Sequence, residues 1–376
     1  MLDVPRVTCR QFTPVFPDTL MPQLSANTVS PPSALVDYPA RDMTITVGAG
    51  MSFGELSRIL QKENQQLPID VADDAIPLGK MVADDVSGPR QFGYGTLRDY
   101  VIGIEAVAGD GRVFHAGGRV VKNVAGYDLC RLLIGSREQL GTITQLTFKL
   151  KPIPIQSTLL VAGFRSLRDL DSALERLNLT STTPVIMDVV SRFVGGRLLK
   201  QGMPKLTETT PFADAAALLV FGFEGPQVAC DWQSTTLKNE LQGTAAWVHT
   251  AEDPEAYSHY CTAAQRASVA SGDESWLARL STLPSRTVSA ITVLQESGCE
   301  VFGRAGNGVL FVRSVVGSHM NLRPADESKG IGTLQSLVSD GVGSVDVLKS
   351  ATSRSTQSSP AVQEISRKLQ TLLGAV

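Results

Sequence analysis

The chain has 376 residues, enough for two domains that each bury a core of their own. Hydrophobic residues make up 43% and charged residues 19%, which excludes a disordered or fibrous chain. The net charge is -3 and no run of Lys and Arg occurs, so nothing drives the whole molecule toward nucleic acid or an anionic membrane.

Residues 1–40 are rich in Pro, Ser and Thr and contain no glycine. Pro31-Pro32 and Asp37-Tyr38-Pro39 close this atypical segment as loop and turn. Regular structure begins with Thr44-Ile45-Thr46-Val47, a β-branched strand stopped by Gly48-Ala49-Gly50. Ser52 followed by Glu55 reads as a capping box, and Phe53, Leu56, Ile59 and Leu60 mark one helical face behind it. Ile104–Ala108 and Arg112–His115 form a hairpin around Asp110-Gly111. Tyr127–Ile134 is a short helix stopped by Gly135, with Cys130 on its core face, and Thr142–Leu150 is a strand broken by Pro152 and Pro154.

A domain boundary is expected at those prolines, giving a first domain over 41–154 and a second over 155–349. In the second, Leu159–Phe164 is a strand, and Ser166 with Asp169 caps a helix carrying Leu167, Leu170, Leu174 and Leu177. Ala217–Phe223 and Val309–Val316 are apolar strands, the latter following the turn Gly306-Asn307-Gly308. Residues 350–360 are a Ser/Thr-rich linker, and 361–376 a last helix with Val362, Ile365, Leu369 and Leu372 on one stripe. The fold class is α+β. No self-similarity at a fixed period appears, so a solenoid or propeller is not supported.

Cys9, Cys130, Cys230, Cys261 and Cys299 are odd in number and form no C-x-x-C pair. Neither a disulfide framework nor a zinc or iron–sulfur site made by this chain alone is expected. The first residues show no signal-peptide pattern, and the longest apolar run, Ala215–Phe221, is far below the roughly 18 residues that span a bilayer. The expected location is the cytoplasm, with any membrane association through partners.

Four ordered pieces carry the functional signal. They are Leu78-Gly79-Lys80-Met81-Val82-Ala83; Ser87-Gly88-Pro89-Arg90 leading into Tyr94-Gly95-Thr96-Leu97-Arg98-Asp99-Tyr100-Val101; Gly117-Gly118 and Lys122-Asn123-Val124-Ala125-Gly126-Tyr127-Asp128-Leu129; and Gly135-Ser136 with Leu140-Gly141-Thr142-Ile143-Thr144. Lys149-Leu150-Lys151-Pro152 closes the set. Together they resemble the FAD-linked oxidase family, with its FAD-binding domain of the vanillyl-alcohol-oxidase (PCMH) type. D-lactate dehydrogenases and glycolate oxidase belong to that family. The pairing of Ser-Gly-Pro-Arg with Lys-Asn-Val-Ala-Gly-Tyr-Asp is more similar to the accessory FAD-binding chain of glycolate oxidase than to the catalytic chain of that enzyme.

The resemblance implies a PCMH-type FAD-binding domain followed by a ferredoxin-like α+β substrate domain. It places Gly79, Ser87, Gly88, Tyr94, Gly95, Asp99 and Ile143 along the flavin or its adenylate arm. Glycines suit such a role because backbone N–H groups approach phosphates where no Cβ intervenes. Residue by residue, other readings stay open: Gly88 and Gly95 as turn glycines, Asp99 as a helix cap or a partner of Arg98, Lys122 as a solvated lysine. The resemblance also implies a 2-hydroxy acid substrate, and as partners a glycolate-oxidase-type flavin subunit and an iron–sulfur subunit. No metal site and no catalytic residue is assigned.

The chain departs from the family at several points. The family's glycine-rich diphosphate loop should precede residue 44, yet the first glycine is Gly48. The N-terminal subdomain is therefore expected to be incomplete, and FAD to be held loosely. Lys80 stands where relatives often carry a second glycine; it either offers a cation to the cofactor or points outward. Gly303-Arg304-Ala305-Gly306-Asn307-Gly308 resembles a substrate-domain loop that bears histidine in catalytic relatives, and this stretch has none. His115, His249, His259 and His319 fall outside recognisable family positions. Two other readings remain: a self-sufficient FAD oxidoreductase on an alcohol or hydroxy acid, and a scaffold subunit that has lost flavin.

Overall fold

The computed structural model describes residues 30–118, 128–191, 194, 215–251, 253, 255–269, 274–315, 332–334, 336–337 and 343–350. The first part of the chain forms β1 (Leu35–Asp37), β2 (Thr44–Gly48), β3 (Gln65–Gln66), β4 (Val101–Val107), β5 (Val113–Gly117), β6 (Thr142–Lys149) and β7 (Lys151–Pro152). Five of these make an antiparallel sheet in the order β1-β2-β6-β4-β5, while β3 and β7 pair separately. Ile45 and Val47 on β2 meet Leu146 and Phe148 on β6 in one buried cluster, since alternating apolar residues line one face of a strand.

The helix Phe53–Gln61 covers that cluster with Phe53, Leu56 and Leu60. Ser52 and Glu55 form the capping box, each side chain bonded to the other's backbone N–H. Leu78–Ala83 is a second helix, packed on β6. The hairpin appears as β4 and β5 around Gly111, whose φ of 84° a side chain would oppose. The short helix runs Leu129–Leu133 and is followed by Gly135 at φ 78°, with Cys130 buried as read from the sequence. One departure occurs upstream. Leu35–Asp37, read as loop, is a short strand, because Ala34 O accepts the Gly48 N–H and Leu35 pairs with Val47.

The rest forms β8 (Gln156–Phe164), β9 (Ile186–Ser191), β10 (Ala217–Gly225), β11 (Trp247–Thr250), β12 (Glu274–Thr282), β13 (Glu300–Arg304), β14 (Val309–Val315) and β15 (Gly343–Ser350). They join in one antiparallel sheet in the order β11-β8-β10-β9-β13-β14-β12-β15. The first four strands, with helices Leu167–Leu177 and Gln227–Glu240 between them, trace a βαββαβ unit in fourth-first-third-second order. The last four repeat that order, with helix Thr287–Glu296 and the helical residues 332–334 and 336–337. The ferredoxin-like domain is thus two units fused through β9 and β13.

One face of this sheet is covered by the three helices Leu167–Leu177, Gln227–Glu240 and Thr287–Glu296 over a core that includes Leu160, Phe164, Phe221, Trp276, Leu280 and Leu294. The helix Ala256–Ala267 lies on the opposite face, burying Tyr257, Tyr260 and Ala264. The segment Gln91–Tyr94 of the first domain meets the sheet on β9. There the Gly93 N–H donates to Val185 O at 3.1 Å, and a Cβ on Gly306 would come within 2.1 Å of the Phe92 ring. Arg266 Nε donates to Ala72 O at 3.4 Å from the helix side. Several readings lie outside the described residues: segment 1–29, the motif stretch Lys122–Tyr127, the linker beyond Ser350 and the helix over 361–376.

Candidate flavin site at the domain interface

Gly79 and Ile143 are brought together. The Gly79 N–H donates to Ala49 O at 2.8 Å, and a Cβ on Gly79 would stand 3.0 Å from the Ala49 Cβ and 3.6 Å from Ile143 O. A small residue here lets the helix Leu78–Ala83 sit directly on β2 and β6. Lys80 turns outward: its side chain is 62% exposed and its ammonium meets Asp84 Oδ2 at 2.8 Å, one helical turn on.

The Ser87–Gly95 segment runs between the two domains. A Cβ on Gly88 would fall 2.3 Å from the Asp70 Cβ, so glycine lets Asp70 reach the following residues. Asp70 Oδ1 accepts from Arg90 Nε at 2.7 Å and its Oδ2 from the Arg90 N–H at 3.0 Å. Arg90 Nη1 also donates to Gln66 Oε1 at 2.9 Å and lies 3.7 Å from Glu224 Oε1, on β10 of the second domain. Burial opposes the charge on Arg90, but the groups around it, Asp70 foremost and Glu224 among the others, outweigh it and raise its pKa. The Tyr94 hydroxyl donates to the other Glu224 oxygen, Oε2. Burial, then this acceptor, pushes the Tyr94 phenol above its ordinary pKa, so it stays a donor.

Gly95 ends that turn at φ 86°, and a Cβ on it would be 2.4 Å from Asp99 Oδ2. Asp99 is exposed and accepts the Thr96 N–H at 2.8 Å, which caps the turn Leu97–Tyr100. Tyr100 donates its hydroxyl to Tyr94 O at 2.8 Å, and burial followed by Asp99 raises its pKa to about 12. Of the seven residues singled out, Tyr94, Gly95 and Asp99 therefore share one corner, Gly88 joins them through Asp70 and Arg90, and Gly79 with Ile143 forms a separate wall. Ser87 is half-buried.

Beside that wall lies a corner with unmet hydrogen-bonding capacity. Asp85 Oδ1, Ser136 Oγ and Gln139 Oε1 are buried without a partner among the described residues. The segments are pinned together, with the Gly135 N–H on Val82 O and the Arg137 N–H on Ala83 O. Asp85, Arg137 and Glu138 all hold positive φ, at 50°, 52° and 61°. Such backbone costs about 1–3 kcal/mol each and persists only where the surroundings demand it. Burial raises the Asp85 pKa, while Arg98 and Arg279 pull it down.

A second polar cluster lies in the larger sheet. Arg304 Nη1 meets Asp188 Oδ2 at 3.2 Å, the Tyr260 hydroxyl donates to that same oxygen at 2.8 Å, and Arg304 lies over the Phe311 ring at 5.5 Å. Both charged side chains are almost wholly buried. Burial pushes the Asp188 carboxyl up to about 6, against the pull of Arg304 and of the Tyr260 hydrogen bond. Of the described histidines, His115 and His259 are exposed beside Glu105 and Glu255, and His249 leans on Trp247 in the edge strand β11. His319 lies outside the described residues. Sequence reasoning missed Asp70, Glu224 and Asp188, which are single carboxylates in no motif. A charge closing the apolar strand Ala217–Phe223 was the one available sign of Glu224.

Residues 33–117 match the model of the family described as FAD binding domain. The chain carries an FAD-binding domain. It is 35% identical over 134 residues to a D-lactate dehydrogenase of Archaeoglobus fulgidus, covering 36% of this chain and 30% of that protein. It is 36% identical over 122 residues to glycolate oxidase subunit GlcE of Escherichia coli, covering 32% of this chain and 35% of that one. The chain thus spans about a third of the length of these relatives. Among solved structures, an alkyldihydroxyacetonephosphate synthase superposes over 91% of this chain and 65% of its own at TM-score 0.61 and 18% identity. A substrate-bound p-cresol methylhydroxylase does so over 82% and 68% at TM-score 0.56 and 18% identity. The fold of both domains is therefore the one those two proteins share.

The unmet hydrogen-bonding groups in the corner of the FAD-binding domain fit FAD. Gly79, Gly88 and Gly95 are each closed on by the chain's own atoms. Asp85 and Gln139 offer buried acceptors, and Ser136 a buried hydroxyl, where buried polar groups ordinarily find partners. Hydroxyls of a ribityl or ribose chain and the adenine amine are donors of the matching kind.

Proposed function

We propose that this chain is the FAD-binding subunit of a complex that oxidises a 2-hydroxy acid. The observation that carries the proposal is the match of residues 33–117 to an FAD-binding domain that abuts a corner of unmet acceptors. FAD, when bound, supplies the acceptor for the two electrons that leave the hydroxyl-bearing carbon as the acid becomes a 2-oxo acid. The chain's part is to hold and orient: Asp85, Ser136 and Gln139 toward the sugar and adenine hydroxyls and amine, Tyr94 and Ser87 along the interface.

Two features support a division of labour with a second flavin subunit and an iron–sulfur subunit. Arg304 ends strand β13 in the stretch that resembles the histidine-bearing loop of catalytic relatives, and a guanidinium engaged with Asp188 takes no proton from a substrate hydroxyl. Similarity to GlcE, one chain of a multi-subunit oxidase, favours the same reading. Under it the complex works in the cytoplasm, with any membrane contact made by partners.

The test is an assay of glycolate and D-lactate with an artificial electron acceptor, first with the FAD-loaded chain and then with a co-expressed set of subunits. The isolated chain should be inactive and the set active. Turnover by the isolated chain on the order of 1 per second or faster would falsify the subunit reading and establish a self-sufficient oxidoreductase.

A further inference from the structure

Among the described residues, Glu224 is the one carboxylate of the second domain that reaches both Arg90 and Tyr94 of the Ser87–Gly95 segment. Its side chain is 3% exposed, and its two oxygens are divided between the two partners. Arg90 is held from the other side by Asp70 and Gln66, so it has little freedom to follow Glu224. Tyr94 is fixed at its backbone by the Tyr100 hydroxyl and at its ring by Glu224. The segment between them is therefore fixed at Arg90 and at Tyr94, in both cases with the help of Glu224 from the other domain, and at its middle by the Gly93 N–H on Val185 O.

We infer that Glu224 is a positioning residue of the flavin site: it sets the Ser87–Gly95 segment through Arg90 and Tyr94, so that cofactor affinity depends on a residue outside the FAD-binding domain. This rests on the reading that the segment borders bound FAD. Three properties make the role specific. A carboxylate can accept from the phenol and the guanidinium at once, which an amide cannot do without turning donors toward Arg90. The separation of 130 residues between Tyr94 and Glu224 means that only the docked domains create the pair. The contact of Arg266 with Ala72 O, also between the domains, does not touch the segment, whereas the Gly93 N–H reaches Val185 O through backbone alone, so Glu224 and Tyr94 supply its side-chain hydrogen bond across the domains.

The experiment is a double-mutant cycle on FAD affinity, read by quenching of flavin fluorescence in the full chain. Glu224→Gln and Tyr94→Phe should each weaken FAD binding about tenfold, the scale of one lost hydrogen bond to a charged group. The double variant should be no weaker than the worse single, because both break one interaction. Arg266→Ala loosens the domain contact elsewhere and should leave affinity within twofold, which separates positioning from mere loss of docking. Bound-flavin absorbance should shift in Glu224→Gln and recover in part in Glu224→Asp. If the parent binds FAD while Glu224→Gln binds it equally well, or if the two effects add, the role of Glu224 is overturned and the flavin site stands. Weakening by Arg266→Ala equal to that by Glu224→Gln overturns it likewise. If the parent takes up no FAD, the functional reading itself falls, and the inference with it.

Discussion

At the scale of single residues, the glycines of the motif and the carboxylates around them play different parts. Gly88 is needed because Asp70 lies where its Cβ would be, and Asp70 in turn holds Arg90. Gly88→Ala should cost about 1–3 kcal/mol, the usual range for overpacking a closed site, and should weaken FAD binding by moving Asp70 off Arg90. Urea melts of the variant check the first part and a flavin titration the second. The motif letters were legible in the sequence, but their partners were not. Asp70 and Glu224 carry no spacing signal, because what selects them is proximity after folding.

Asp188 gives a pH-dependent prediction at the same scale. Its folded pKa, about 6, is raised above the ordinary carboxylate value near 4. A raised folded pKa means the folded state binds the proton more tightly than the unfolded chain. Its contribution is then fully present below about pH 4 and is lost as pH rises through about 6. Replacing Asp188 by Asn keeps an acceptor for Tyr260 and removes the titration. The difference in unfolding free energy between parent and variant should therefore change across pH 4 to 6, the parent losing ground; a pH-independent difference would contradict the assignment. Arg304→Met leaves Asp188 without its buried cation and should cost about 3–5 kcal/mol near neutral pH.

At the scale of elements, local chemistry was readable wherever a side chain acts within its own turn. Ser52 and Glu55 announced the start of the helix Phe53–Gln61, and Gly135 announced the end of Leu129–Leu133. Ser52→Ala removes one side of the capping box and should destabilise the FAD-binding domain by about 1 kcal/mol, measurable by denaturant unfolding. β1 was not readable, since Leu35–Asp37 is exposed along its length and owes its strand geometry to pairing with β2. Strands β9 and β13 escaped for a related reason: their short runs, such as Glu300–Arg304, place charges at buried positions where partners from neighbouring strands neutralise them. Pattern reading counts such residues as polar and outward.

Across the whole molecule, the duplication of the βαββαβ unit was hidden because the halves share strand order without sharing sequence. Its consequence is one broad sheet whose central strands, β9 and β13, bring Asp188 beside Arg304 and whose β10 carries Glu224 to the FAD-binding domain. The interface composed this way belongs to neither domain alone, which is why motif reading singled out residues of the FAD-binding domain but not Glu224 of the second. The account turns on whether the chain binds flavin at the corner of Asp85, Ser136 and Gln139. The most direct measurement is an equilibrium titration of the purified chain with FAD, followed by flavin fluorescence and run in parallel on the Asp85→Ala variant. Saturable uptake of one FAD per chain, weakened about tenfold or more in the variant, is the predicted result. No uptake by the parent, or equal affinity in both proteins, would contradict it.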